Sequence, residues 1–193
     1  YLTMGLGIDC GYATIDAIRD ELINFKKSGK FVIAYGEVAT QKSYYLATAA
    51  DKIYLHPIGG IDLRGFGGQV TFLKGMLDKL NIETQVFYAG KFKSATEPFR
   101  LTAMSEPNKQ QVREYLQDFS TIVIQNIAKE RHLEDTSVEY AINHMLVTIP
   151  EQAMERGFVD GLLFKDQVSQ KISQLAKWPK DEKVNYISAG KYY

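Results

Sequence analysis

FVIAYGEVATQKSYYLATAADKIYLHP, residues 31–57, is the stretch whose reading decides the fold. Phe31 to Tyr35 is a short apolar run set between Gly29 and Gly36, the pattern of a buried strand. Gln41 to Ala50, rich in alanine and aromatic residues, reads as a short helix. Lys52 to Leu55 is a second apolar run, ended by Pro57 and Gly59-Gly60. Upstream, Ile15, Ile18, Leu22 and Phe25 recur at helical spacing over Thr14 to Lys27, and Gly29 stops that helix. Downstream, Phe72, Leu73, Met76, Leu77 and Leu80 make a helix face, and Thr84 to Tyr88 reads as the next strand. Alternation of strand and helix predicts an α/β fold with a mainly parallel sheet and crossover helices.

The character then changes to late helical decoration. Ser105 and Pro107 open a long helix over 108–131, with Val112, Tyr115, Leu116, Phe119, Ile122, Val123 and Ile127 in one apolar stripe. Ser137 to Leu146 and Pro150 to Arg156 are further helices, the second closed by Gly157. Val159-Asp160-Gly161-Leu162 reads as a closing strand, Phe164 to Ala176 as a last helix, and Trp178-Pro179 leads into a tail from Tyr186 to Tyr193. The expectation is a single domain over 1–193.

The chain has 193 residues, 45% of them hydrophobic, enough for a real core. Its 23 basic and 23 acidic side chains balance, so there is no electrostatic footprint for nucleic acid. Cys10 is the single cysteine, which excludes an intrachain disulfide. No apolar run approaches the roughly 20 residues that span a bilayer. The chain opens Tyr1-Leu2-Thr3-Met4, and we expect an anchor and a first strand upstream.

The segment Gly90-Lys91-Phe92-Lys93-Ser94-Ala95-Thr96-Glu97-Pro98-Phe99 puts a lysine in a polar turn after the expected strand, where α/β folds place chemistry. A lysine serves as general base only when burial or neighbouring charge lowers its pKa from about 10.4 toward neutrality. Lys91 is the rival base; in an extended segment it shares a face with Lys93 and its charge would help depress that pKa. Ser94, the direct neighbour, would point the other way. Glu97 either anchors the turn or binds substrate backbone.

With Gly36 to Pro57, this segment resembles the signal peptide peptidase A (protease IV) family, membrane-anchored Ser/Lys peptidases of crotonase/ClpP-like fold. Single-length members carry Ser-Gly-Gly-Tyr-Tyr, a small-residue helix and Ala-Asp-Lys-Ile; Tyr44-Tyr45 and Ala50-Asp51-Lys52-Ile53 match. The nucleophile position falls on Gln41, the two glycines on Lys42 and Ser43, and the base lysine on Lys93, with no gap needed between motifs. Double-length members keep the lysine in their N-terminal half and the serine in their C-terminal half. The resemblance, from about Gly11 to Tyr193, therefore implies the N-terminal half-repeat of a longer peptidase. It implies Lys93 as catalytic residue, and a partner half of the same protein that supplies the serine. It further implies a homo-oligomer, a tetramer, on the periplasmic face of the inner membrane. Its substrates would be remnant signal peptides or other extended apolar peptides, with no cofactor. Gln41, Ser94 and Glu97 are candidate site-shaping or substrate-binding positions. Asp9-Cys10-Gly11 lacks the Pro-Gly-Gly of the catalytic half, which weakens any oxyanion role here.

Other motifs carry less. His56, His132 and His144 show no metal-ligand spacing. Gly5-x-Gly7-x-x-x-Gly11 misses the dinucleotide fingerprint, and Gly65-x-Gly67-Gly68 lacks the lysine of a P-loop. Ser188-Ala189-Gly190-Lys191 spells Ser-x-x-Lys within a tail. The second functional class is a non-catalytic scaffold for oligomerisation or substrate holding. An acyl-CoA enzyme of the wider crotonase superfamily is disfavoured, because no paired carboxylates are placed for it.

Overall fold

The computed structural model describes residues 1–179 and 184–192. The chain divides into two compact units, Tyr1–Arg64 with Gln125–Tyr193, and Gly65–Ile124. The sheet belongs to the first. Strands β1 (Leu2–Thr3), β2 (Ile33–Thr40), β3 (Lys52–Asp62) and β4 (Gly161–Leu162) lie in that order, every pair parallel. Parallel neighbours need crossover connections, and helix α1 (Tyr12–Lys27) joins β1 to β2 while α2 (Gln41–Ala47) joins β2 to β3. This is the α/β architecture expected of residues 31–57. The strand at Leu2–Thr3 is unanticipated by the sequence pattern.

Ile15, Ile33, Tyr44, Tyr45, Ile53, Leu55, Ile61 and Phe158 fill the core and are fully buried. The two tyrosines bring hydroxyls with them, and each finds a partner. Tyr44 donates to the Phe158 carbonyl at 2.8 Å. Tyr45 donates to Asp16 and accepts from the Asn126 amide at 2.6 Å. Arg19, only 3% exposed, lies over the Tyr45 ring at 4.3 Å and donates to the Tyr45 carbonyl and the Thr48 hydroxyl. A buried guanidinium survives only with such company. Burial, reinforced by Asp16, pushes the Tyr45 hydroxyl up to about 12. This network ties α2 to α1, and nothing in the spacing of Arg19 announces it.

Strand β3 corrects the sequence reading. It does not stop at Leu55 but runs through Pro57 to Asp62. Leu55 pairs with Gly36 and Gly60 with Val38, so residues 56–59 bulge between the two registers. A proline is tolerated in a bulge because its missing N–H is not needed there. Gly59 is required by close approach: a Cβ on it would stand 1.8 Å from the Glu37 carbonyl oxygen.

Helices α6 (Asp135–Asn143), α7 (Pro150–Glu155) and α8 (Lys165–Leu175) complete the first unit. α7 packs on β3, and α8 covers Ile33 and Tyr35 of β2 with Val168 and Ile172. Gly157, at φ +81°, closes α7 as expected of a glycine past a helix end. Asp160 pins the start of β4. It accepts from the Ile53 amide at 2.8 Å, from Arg131 at 2.9 Å and from Lys52 at 3.0 Å. Burial alone would raise its carboxyl; these donors outweigh burial and hold it below its usual range. A depressed carboxyl contributes its full stabilisation above its ordinary value of about 4 and loses it as pH falls from there through its lower folded value. As pH falls through the depressed value of Asp160, the Ile53 amide is expected to lose hydrogen-exchange protection before the core amides of α1; equal protection on acidification would contradict the assignment.

The second unit holds α3 (Lys74–Lys79), a 3₁₀ turn at Ser94–Thr96, α4 (Glu97–Arg100) and the first part of α5 (Glu106–Arg131). Ser105 accepts from the Asn108 amide at 3.3 Å, the N-cap expected of it. The expected strand Thr84–Tyr88 is absent: residues 82–89 have no regular structure. An isolated apolar run gains nothing from extension without a neighbouring strand, and no strand pairs with it among the described residues. Phe87 is 92% exposed, and Thr84 is tied instead to the Phe99 carbonyl at 3.0 Å. The apolar stripe on α5 is buried at Val123 and Ile127 but exposed at Tyr115 and Ile122. The short helix α9 (Ala189–Tyr192) lies in the tail; Tyr193 lies outside the described residues. Among the described residues, no helix is long and apolar enough to cross a membrane.

Candidate functional site

The two motif segments sit in different units and are described separately. In the first unit, Gln41 is the first residue of α2, the helix start expected of it. Thr40 caps that helix by accepting from the Ser43 amide at 3.4 Å. The Gln41 amide is fully engaged: its nitrogen donates to the Tyr12 hydroxyl at 3.0 Å and its oxygen accepts from the Arg64 amide at 3.1 Å. Lys42 donates to the Cys10 carbonyl at 2.7 Å. Ser43, nearly buried, donates to the Gly5 carbonyl at 2.9 Å. Three consecutive side chains thus fasten α2 to the segment from Gly5 to Tyr12. The side chains at 42 and 43 do not merely crowd that segment; they bond to it. An amide does not act as a hydrolytic nucleophile, and the Thr40 and Ser43 hydroxyls at this corner are both hydrogen-bonded.

In the second unit, Lys93 does not end a strand. It follows an irregular stretch and precedes the 3₁₀ turn, held by its own amide donating to the Gly90 carbonyl at 3.4 Å. Its side chain is exposed and lines a hollow of about 530 Å³ with Phe87, Tyr88, Phe92, Ser94 and Gln111. Among the described residues no carboxylate is within ion-pair distance of Lys93. Ser94 opens the 3₁₀ turn, with its hydroxyl 3.5 Å from the Gln111 side-chain oxygen. Lys91 is exposed.

Glu97 resolves toward anchoring. It is 1% exposed, and all its bonds are internal. Asn108 donates at 2.8 Å, the Ser105 amide at 3.1 Å and the Ser105 hydroxyl at 2.5 Å, with Arg100 at 3.6 Å. Burial would raise its carboxyl, but these donors together bring it below the usual range. Glu97 therefore clamps the turn carrying Lys93 onto the start of α5. The partners that reveal this, Ser105 and Asn108, escape sequence reasoning; the only signal was Ser105 as a cap. Among the described residues no group of three His, Cys, Asp or Glu could hold a metal ion.

A parallel sheet crossed by helices, with a helix opening at 41 and a clamped lysine turn at 93, is of the crotonase/ClpP-like class. The chain belongs to peptidase family S49, which matches residues 24–178. It is 30% identical over 201 residues to Protease 4 of Haemophilus influenzae, covering 97% of this chain and 33% of that protein. It is 29% identical to the chloroplastic serine protease SPPA of Arabidopsis thaliana, covering 96% of this chain and 27% of the relative. To Protease 4 of Salmonella typhi it is 32% identical, covering 91% of this chain and 29% of the relative. The chain thus spans a third or less of the length of these three relatives.

Proposed function

We propose that this chain is the lysine-bearing half of a Ser/Lys peptidase. Lys93 is the general base, and a serine from a C-terminal half of the same protein is the nucleophile. The observation that carries this reading is the setting of Lys93: a clamped turn, an aromatic hollow beside it, and no ion-pair partner among the described residues. Neutral Lys93 takes the proton of the serine hydroxyl as the serine oxygen attacks the peptide carbonyl. The tetrahedral intermediate collapses to an acyl-enzyme, the leaving amine takes the proton from Lys93, and water releases the acyl group with Lys93 again as base. The exposed rings of Phe87, Tyr88 and Phe92 suit extended apolar peptides, remnant signal peptides among them. Assembly as a tetramer on the periplasmic face of the inner membrane belongs to the same proposal.

Exposed apolar side chains of the second unit, Phe87, Phe92 and Phe99 among them, favour a second reading, a scaffold for assembly or substrate holding. Lys93→Ala in the full-length protein separates the two: loss of hydrolysis with assembly intact supports the first, unchanged hydrolysis the second. A companion result is expected of Gln41→Ser in this chain. Hydrolysis of a peptide ester stays at background, because Lys42 and Ser43 keep the corner fastened and no oxyanion donors are freed. A rise above background abolished by a serine-directed acylating reagent would show that the corner is a latent active site.

A further inference from the structure

Among the described residues, Lys93 stands on a loop that no strand holds. Residues 82–89 have no regular structure, and Gly90 turns the chain at φ +95° before Lys93. After Lys93 the chain is well tied: Ser94–Thr96 form the 3₁₀ turn, and Glu97 is clamped to the start of α5. Before it there is little. Among the described residues, the only side-chain hydrogen bond, ion pair or ring contact made by residues 85–92 joins Tyr88 to Arg100.

Arg100 is the last residue of α4. Helical side chains tilt toward the N-terminus of their helix, so Arg100 reaches back over the turn before it. There it meets both limbs of the Lys93 loop. The guanidinium carbon lies 3.9 Å from the centre of the Tyr88 ring, on the limb that enters. Nε donates to the Thr96 hydroxyl at 3.4 Å, on the limb that leaves, and Nη2 stands 3.6 Å from the Glu97 carboxylate. Tyr88, Lys93 and Thr96 line one hollow, and all these residues belong to the second unit. The arrangement needs an arginine. A guanidinium packs its flat face on a ring while its edge donates hydrogen bonds; an ammonium is a point charge and cannot serve both limbs. The Glu97 clamp keeps its three bonds from Ser105 and Asn108 without Arg100. Removing the guanidinium therefore frees the entry limb and leaves the fold of the unit in place.

We propose that Arg100 is the positioning residue for Lys93: its guanidinium brackets the loop between Tyr88 and Thr96 and so sets where the lysine nitrogen stands. The proposal rests on Lys93 being the general base.

One test needs no activity. In the chain, Arg100→Gln should shift the Tyr88 ring and Lys93 amide signals and raise the mobility of residues 85–92 in NMR relaxation, with the Ser105 and Asn108 amides unmoved. The other is kinetic, in the full-length protein. Arg100→Gln and Arg100→Lys should each lower kcat about 10²-fold, the cost of a group misplaced by about 1 Å, with KM and the melting temperature little changed. In Arg100→Lys the midpoint of the rise of kcat with pH should not move, since the charge is kept and only the bracket is lost. Lys74→Gln, which removes another cation of the same unit, should keep the parent kcat. Tyr88 is half exposed and reaches the same contact from the other side. Tyr88→Leu should lower kcat more than Tyr88→Phe, and Tyr88→Leu combined with Arg100→Gln should fall no further than the worse single variant, because both remove one contact. Parent-like kcat in Arg100→Lys, a loss carried by KM alone, additive effects in the double variant, or a melting temperature that falls in step with kcat would each overturn the proposal. Unchanged Tyr88 and Lys93 signals in Arg100→Gln would overturn it without reference to catalysis. Full activity of Lys93→Ala would remove the base itself, and with it the role of Arg100, whatever the NMR shows.

Discussion

Alanine at Lys93 is expected to lower kcat/KM of the full-length protein for peptide hydrolysis by about 10²–10⁴-fold, the usual contribution of a positioned general base. The melting temperature should not move, since Lys93 is exposed and makes no ion pair among the described residues. Lys93→Arg should be as inactive as alanine: a guanidinium keeps the charge but does not release its proton in any accessible pH range. Lys91→Ala is the internal control and should retain most of the activity. The pH profile gives a second readout. A base must be neutral to act, so activity should rise with pH through the pKa of Lys93 in the intact protein. On the proposed reading, a second half that buries the lysine or sets positive charge beside it lowers that value from about 10.4. Side-chain NMR titration in the chain and in the full-length protein measures this directly. An unshifted lysine in the full-length protein, or full activity in Lys93→Ala, would remove the general-base assignment.

Glu97→Gln is expected to destabilise the second unit by about 2–4 kcal/mol although it changes almost no volume. One carboxylate oxygen faces the Ser105 amide and the Asn108 side-chain nitrogen, both donors; the other faces the Ser105 hydroxyl and Arg100. An amide must turn its NH₂ toward one of these sets, so a buried donor meets a donor. Accelerated exchange of the Ser105 and Asn108 amides, with core amides of α1 unchanged, is the signature. The same cluster predicts acid sensitivity. The folded carboxyl lies below its ordinary value, so the unfolded state binds the proton more readily and stability falls with pH through the carboxylate range. Glu97→Gln should lose that pH dependence. A substrate-binding role predicts the opposite pattern: a raised KM with an unchanged melting curve.

The motif positions could be placed by residue number because their signals are local. Gln41 at a helix start and Gly157 at a helix end follow from short-range backbone preferences, and the structure has both where the pattern puts them. Thr84–Tyr88 shows the opposite case. Its apolar composition satisfies a strand pattern, but a strand is made by its neighbour, and no local pattern states whether a neighbour exists. β3 failed in the other direction: Pro57 and Gly59-Gly60 look like a stop, yet a bulge against β2 absorbs the proline and the Glu37 carbonyl demands the glycine.

By itself, the sequence determined the parallel α/β class, the start of α2 at Gln41, the long helix α5 and the family. All of these rest on periodicity, punctuation or contiguous motifs, which are properties of residues near one another in the chain. Tertiary structure alone decided that Glu97 is a clamp, that Arg19 is buried over the Tyr45 ring, and that Gln41, Lys42 and Ser43 are bonded to the Gly5–Tyr12 segment. A charged or polar side chain carries no mark of its partner until the chain has folded. What it does then depends on which donors and acceptors stand within about 3 Å of it.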